Sequence, residues 1–291
     1  MWLVLGGSGQ LGRCLEEALV ECGIPFTLAD RGRCDITDQR AVDGLVSSLQ
    51  PAVVVNCAAW TAVDDAEDNE SAATLVNRDG ARNIAYACKS HGAVLVHVST
   101  DYVFSGRESE AHDENSTTNP VSAYGRSKLL GEQAILDVHP EGTYVVRTAW
   151  LYSKFGGNFV KTMVRRALAD MPVRVVDDQH GQPTYAGDLA WHIIDLLAAR
   201  APYGVYHGTN SGSTTWCDLA REVYNLMHKP ITLVSPVGTD EYPTKATRPK
   251  NSVLGHQRTL AAGVDEMRNW KDALAEAIGG IIAVTKEEKV Q

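Results

Sequence analysis

Tyr124-Gly125-Arg126-Ser127-Lys128 sets a phenol and an ammonium four residues apart, a spacing that puts both on one face of a helix. A phenol has an ordinary pKa near 10 and gives up its proton reluctantly at neutral pH. A neighbouring ammonium stabilises the phenolate and is expected to draw that pKa toward the working range. Such a pair suits protonation of a carbonyl oxygen while a hydride reaches the carbon, a general-acid contribution of roughly 10²- to 10⁴-fold. Ser99-Thr100-Asp101-Tyr102 follows an apolar run, and Thr100 is expected to hydrogen-bond the same substrate oxygen. Tyr-x-x-x-Lys arises readily by chance in a chain with ten tyrosines. On its own the motif also fits a surface Tyr and Lys beside a buried structural Thr.

A hydride needs a donor, and Gly6-Gly7-Ser8-Gly9-Gln10-Leu11-Gly12 points to one. The spacing G-x-x-G-x-x-G falls between an apolar run and a helical stretch. Gly6 would make the tight turn, Gly9 would leave the backbone bare for a pyrophosphate, and Gly12 would let helix pack closely on strand. Free N–H groups and the positive end of the helix dipole would then face the phosphates. Asp30 lies near the distance at which an acidic side chain meets an adenosine ribose, which favours NADH. Arg31 and Arg33 follow at once and could neutralise a 2′-phosphate, so NADPH stays equally open; charges that merely solvate a turn are the plain alternative. Asp35-Ile36 offers an acceptor beside an apolar side chain for adenine. In this frame Lys128 also holds the nicotinamide ribose, and Val98 borders the ring.

Elements that could position these groups are legible as alternating periods. Strands are expected at Trp2 to Leu5, Phe26 to Ala29, Ala52 to Val55, Val94 to Val98 and Tyr144 to Arg147. Helices are expected at Gln10 to Cys22, Ala41 to Leu49, Ala72 to His91, Ser122 to Leu136 and Phe159 to Ala169. This alternation implies parallel pairing with right-handed crossovers, an α/β doubly wound parallel (Rossmann) sheet buried on both faces. Residues 1–150 are read as the dinucleotide-binding core. Residues 151–291, where Pro and Gly cluster beyond Pro172, are read as completing the sheet and forming a smaller, loop-rich substrate lobe, with a polar tail from Lys286 to Gln291.

Composition narrows the partners. Acidic residues outnumber basic ones 36 to 27, for a formal charge of −9, and the basic ones are scattered, so no nucleic-acid partner is expected. No apolar run approaches the roughly 18 residues of a membrane helix, and Met1 leads straight into Trp2-Leu3-Val4-Leu5 without a signal-peptide pattern. The expected location is the cytoplasm. Six cysteines lack a C-x-x-C pair and nine histidines lack a His-x-x-x-His pair, so reduced packing cysteines and no metal are expected.

The chain resembles the extended short-chain dehydrogenases and, within them, the dTDP-4-dehydrorhamnose reductases. The resemblance runs over nearly the whole length: Gly6 to Gly12, Asn56-Cys57-Ala58-Ala59-Trp60-Thr61-Ala62-Val63-Asp64, Val76-Asn77, Ser99 to Phe104, Tyr124 with Lys128, and Arg147-Thr148-Ala149-Trp150-Leu151-Tyr152. Further matches are Asn158 to Met163, Asp178 to Thr184 and Arg248-Pro249-Lys250-Asn251-Ser252. It implies reduction of the C4 ketone of dTDP-4-dehydro-L-rhamnose with NADPH or NADH. Tyr124 would be the acid, Lys128 its helper and Thr100 the tuning hydroxyl. Gly9-Gln10-Leu11, Asp35-Ile36 and Ala58-Ala59-Trp60-Thr61 would line the dinucleotide, and Asp101 and Trp150 would meet the sugar nucleotide. Arg248, with Lys161 and Lys250, is a candidate for the substrate's pyrophosphate.

Two positions depart from the family. Some members are described as metal-bridged dimers through a glutamate just after the glycine loop, where this chain has Cys14; a soft thiol suits magnesium poorly, so a monomer or weak homodimer is expected. Cys57 stands where relatives usually carry Ala. Three rival readings remain: a sugar-nucleotide 4,6-dehydratase, a non-catalytic NADP-binding regulatory subunit, and a reductase of another dTDP-4-keto-6-deoxysugar in antibiotic biosynthesis. The dehydratase is disfavoured because Tyr102, rather than Glu, follows Asp101.

Overall fold

Short β-branched runs pair into one sheet and the amphipathic stretches between them cover it. The computed structural model describes residues 1–288. Its first half contains β1 (Trp2–Leu5), α1 (Gln10–Glu21), β2 (Phe26–Ala29), α2 (Gln39–Leu49), β3 (Val53–Asn56), α3 (Val63–Ala66), α4 (Glu70–Thr74), α5 (Ala81–His91), β4 (Val94–Thr100), α6 (Ala123–Val138) and β5 (Thr143–Thr148). Its second half contains β6 (Leu151–Tyr152), α7 (Phe159–Leu168), β7 (Val173–Val176), β8 (His180–Gly181), β9 (Thr184–Tyr185), α8 (Ala186–Ala198), β10 (Gly204–His207), β11 (Thr214–Thr215), α9 (Trp216–Leu226), β12 (Val234–Val237), α10 (Gln257–Ala261) and α11 (Trp270–Glu287).

Six strands form the main sheet in the order β10-β5-β4-β3-β1-β2, and every pairing in it is parallel. From β1 the chain goes first to one side, for β2, and then to the other, for β3. At that reversal the crossovers lie on opposite faces, so a crevice opens beyond the carboxyl ends of β1 and β3. Alternate strand residues feed two cores. Val53 and Val55 face Leu11, Leu15 and Leu19 of α1 with Leu189 and Ile193 of α8. Val54 faces Val42 and Val46 of α2, Ile84 of α5 and Ile135 of α6. Full burial of each such valine contributes about 1.5–3 kcal/mol, and a one-residue slip would expose neither set to water but would mismatch both cores. A third core joins Val160 and Val164 of α7, Leu219 and Val223 of α9, and Leu274, Ile278 and Ile281 of α11.

Several boundaries differ from the sequence reading. The long helix expected from Ala72 starts at Glu70 and is interrupted by a π-helical segment, Leu75–Gly80, before α5. β4 continues two residues beyond Val98, carrying Ser99 and Thr100 into the sheet. Beyond Pro172 the chain is far less loop-rich than its Pro and Gly content suggests. It forms α8, α9 and α11, and β10 returns to the main sheet beside β5. Most of the prolines there mark connections, while helix existence is decided by packing, α8 in the first core and α9 and α11 in the third. Lys286 and Glu287 complete α11 rather than starting a tail; residues 289–291 lie outside the described residues. Among the described residues no helix is long and apolar enough to cross a membrane.

Candidate active site

The β1–α1 turn is shaped by backbone crowding. Gly6 has φ +75°, and a Cβ there would lie 2.6 Å from the backbone nitrogen of Ala58, so only glycine lets the two switch-point loops meet. At Gly12 a Cβ would lie 2.6 Å from the Gly6 carbonyl oxygen, which seats α1 tightly against the turn. Gly9 is the N-cap of α1 and no side chain caps the helix. Its first-turn N–H groups are thus left for an anion.

These loops border a cleft of about 840 Å³ that contains every predicted catalytic and cofactor residue except Gly12 and Arg33, together with Asp101 and Trp150. Gly12 sits behind the turn. At one end Asp30 accepts from the Arg33 backbone N–H at 3.1 Å, and the Arg31 side chain, 87% exposed, lies 3.4 Å from Asp35. Thr37 donates to Asp35 through both its hydroxyl and its N–H, which holds that carboxyl below its usual pKa, with Arg31 assisting. Arg33 donates to the Leu28 carbonyl oxygen. Gln10 reaches toward the second lobe, where Asn158 Nδ2 donates to its Oε1 at 2.8 Å.

Trp60 is braced by a residue that sequence reading did not assign a role. Asn77, 1% exposed, accepts from the Trp60 N–H at 2.8 Å and donates to the Trp60 carbonyl oxygen at 3.1 Å and to Ser127 Oγ at 2.9 Å. The π-helical turn carrying Asn77 is admitted by Gly131 of α6, where a Cβ would fall 2.2 Å from the Asn77 carbonyl oxygen. π-Bulges of this sort commonly mark functional sites.

Across the cleft, Ser122 caps α6 by accepting from the Gly125 N–H, and the helix begins with the predicted pair. Tyr124 lines the cleft together with Thr100. Thr100 Oγ1 donates to Asp101 Oδ1 at 2.9 Å and accepts from the Tyr102 N–H at 3.2 Å. Burial pushes the Tyr124 pKa up to about 12, against a lowering by Thr100. This corrects the expectation of a phenol drawn down by Lys128: the ammonium is turned to the Val98 carbonyl oxygen, to which it donates at 2.7 Å. Burial brings Lys128 itself down to about 8. Asp101 is raised to about 6, again by burial, and its Oδ2 has no hydrogen-bond partner.

Beneath α6, Arg147 Nε and Nη2 donate to the Glu132 carboxylate at 3.0 and 2.7 Å. This buried pair ties β5 to the helix that carries Tyr124 and Lys128. Its only sequence signal was a charged residue inside an apolar strand, which must be paired if buried.

Three candidate substrate contacts are placed differently from expectation. Trp150 has φ +46°, a strained left-handed conformation of the kind that clusters at functional sites. Trp216 stacks on its ring at 3.6 Å, and Gly181 abuts the ring closely enough that a Cβ would fall 2.5 Å from it. Trp150 therefore offers the cleft an edge rather than a face, and Trp216 is the additional aromatic lining residue. Arg248 borders a neighbouring cleft of about 1170 Å³ together with Lys250, and its guanidinium holds Asp64 at 2.9 and 3.3 Å. Lys161 is withdrawn altogether: 1% exposed, it donates to Glu288 at 2.6 Å, so it does not meet a pyrophosphate in the cleft. Its backbone N–H donates to the Asn158 cap, and Glu288, just after α11, supplies the countercharge.

A bare glycine turn at the reversal of a doubly wound sheet, facing a Tyr–Lys pair on α6, is the arrangement of the extended short-chain dehydrogenases, and the chain has that architecture. More narrowly, it matches the RmlD substrate binding domain family over residues 1–281 and belongs to that family. A dTDP-4-dehydrorhamnose reductase of Streptomyces griseus is 47% identical over 280 residues, 95% of this chain and 92% of that protein. A dTDP-4-keto-6-deoxy-D-glucose reductase of Streptomyces niveus is 45% identical, covering 95% of this chain and 96% of its own length. The crystal structure of a dTDP-4-dehydrorhamnose reductase from Bacillus anthracis in complex with NADP superposes with a TM-score of 0.91 at 38% identity, covering 95% and 97% of the two chains.

Proposed function

We propose that this protein is an NAD(P)H-dependent oxidoreductase that reduces the C4 ketone of dTDP-4-dehydro-L-rhamnose to dTDP-L-rhamnose. The observation that carries this reading is the convergence of Thr100, Tyr124 and Lys128 on one cleft opposite an uncapped helix start. The relatives of matching length are named for such a reduction. The bare Gly6–Gly9 turn and the α1 N–H groups fit a pyrophosphate. Asp30 and Arg31 would meet the adenosine, where the arginine can pair a 2′-phosphate, and Ala58 to Thr61, Val98 and Lys128 would line the rest of the dinucleotide. When bound, that dinucleotide supplies the hydride.

Tyr124, kept protonated by burial, donates its proton to the ketone oxygen as the carbon is reduced. Thr100, beside it in the cleft, hydrogen-bonds the same ketone oxygen. Lys128, turning from the Val98 carbonyl oxygen, returns a proton to the phenolate that results. The Asp101 carboxyl and the Trp150 edge border the sugar, and Arg248 exchanges Asp64 for the substrate's pyrophosphate. Residues 1–150 serve the dinucleotide and the later lobe the sugar nucleotide. The enzyme acts in the cytoplasm as a monomer or weak homodimer, without nucleic-acid or membrane partners.

Incubating the protein with NADPH and the ketosugar made from dTDP-glucose by dehydration and epimerisation, with NMR of the product, tests this. dTDP-L-rhamnose is expected; absence of NADPH oxidation refutes the reading. The relative named for a 6-deoxy-D-glucose substrate favours one second reading, reduction of another dTDP-4-keto-6-deoxysugar, which the configuration of the product at C4 and C5 distinguishes.

A further inference from the structure

His97 lies inside β4, 1% exposed, and the chemistry above leaves it without a task. Both ring nitrogens are engaged. Nδ1 is 3.0 Å from Asn56 Nδ2, and Nε2 is 3.4 Å from Lys128 Nζ. The direction of this chain is fixed at its far end. The backbone N–H of Ala58 can only donate, and it donates to Asn56 Oδ1 at 3.1 Å. Asn56 therefore turns its NH₂ to His97, whose Nδ1 must accept. Burial, reinforced by the Lys128 charge, holds the ring neutral, and a neutral imidazole that accepts at Nδ1 carries its hydrogen on Nε2. That hydrogen faces Lys128.

We propose that His97 is a positioning residue that sets the proton affinity of Lys128 by holding Nε2–H against its nitrogen. An ammonium has no lone pair to receive that hydrogen, whereas the free amine has one, so the contact favours the amine. Other groups face Lys128 from the packed elements. Cys57, just after β3, is kept a neutral thiol by burial, at about 12. Glu132, one turn along α6, favours the ammonium but is committed to Arg147 of β5. Tyr124, one turn back, is neutral. Among these, His97 is the one whose hydrogen is fixed in direction, by the chain from Ala58 through Asn56. Because Asn56 begins the chain at Ala58, the affinity is also tied to the loop that borders the dinucleotide site.

The kinetic consequence rests on the proposed reduction, in which Lys128 returns a proton to Tyr124 and is most effective when its own pKa lies near the working pH. The test compares pH profiles of kcat from pH 6 to 10, at saturating NADPH and ketosugar, for wild type, His97→Leu and His97→Gln. His97→Leu is expected to move the basic limb up by about one pH unit, a roughly tenfold change in proton concentration. Glutamine restores an N–H near the Nε2 position, so His97→Gln is expected to keep the wild-type limb. A limb in His97→Leu that stays in place, or moves down, overturns the proposal. A measurement independent of turnover uses wild-type protein labelled with ¹⁵N-histidine, with residue 97 assigned by its absence from the His97→Gln spectrum. Long-range ¹H–¹⁵N correlations are expected to show the Nε2–H form unchanged between pH 6 and 9. An Nδ1–H form overturns the proposal even in an active enzyme. A protein with the Nε2–H form that turns over no ketosugar instead refutes the proposed reduction and leaves the His97 geometry standing.

Discussion

Replacing Asn77 with alanine isolates the link between the π-helical turn and the dinucleotide site. The substitution removes one acceptor and two donors at 2.8, 3.1 and 2.9 Å, leaving the N–H and C=O of Trp60 and the hydroxyl of Ser127 without them. A buried polar group left unsatisfied costs roughly 1–3 kcal/mol. The Trp60 groups are partly buried and regain some solvation, whereas Ser127 keeps its bond to the Tyr124 carbonyl oxygen at 2.8 Å. A loss of about 2–3 kcal/mol in folding stability follows. If half to all of it falls on the 58–61 loop, the dinucleotide must reorder that loop on binding, and its Kd rises about 10- to 100-fold. Urea unfolding would give the first quantity and fluorescence titration with NADPH the second. Turnover at saturating NADPH should stay within about twofold, because the chemistry on α6 is untouched. A Kd within twofold of wild type, alongside the stability loss, would refute the coupling of this brace to the cofactor site.

Three further outcomes are expected. Tyr124→Phe should lower kcat by about 10² or more while NADPH still binds; equal kcat in stopped-flow turnover would remove the phenol from the mechanism. Arg248→Ala should raise the KM for the sugar nucleotide far more than it lowers kcat, and a KM unchanged in steady-state assays would leave the guanidinium with only its Asp64 contact. Acid should destabilise the fold through buried imidazoles. Desolvation by burial lowers His192 from 6.5 to about 4 and His207 to about 3, so the unfolded chain binds more protons than the folded one below pH 6.5. Stability is then full above that pH and lost as the pH falls from 6.5 toward 4. His192 alone accounts for about 3 kcal/mol at the lower end. Urea midpoints at pH 7 and pH 5 check this, and equal midpoints would count against it.

The Tyr–Lys pair proposed as proton donor and helper, and the glycine turn, could be read from residue types because each is tied to a local rule. Tyr124 and Lys128 need only a helical i, i+4 spacing, and Gly6 and Gly12 need only the absence of a Cβ. The strands could be read because apolar β-branched runs buried on both faces leave a continuous signal. The sequence also pointed to the order of strand and helix that makes the switch point.

Tertiary structure alone decided what those groups experience. Nothing local to Tyr124 tells whether burial or the ammonium governs its proton, and in the fold burial wins while Lys128 turns to the Val98 carbonyl oxygen. Lys161 looked like a phosphate ligand until α11, more than a hundred residues later, brought Glu288 to it. His97 lies in no quoted motif, and the motifs that hold Asn56 and Asn77 gave neither residue a role. Their importance comes from partners 17 to 50 residues away, and hydrogen bonds across such separations are set by packing, which periodicity and spacing do not encode.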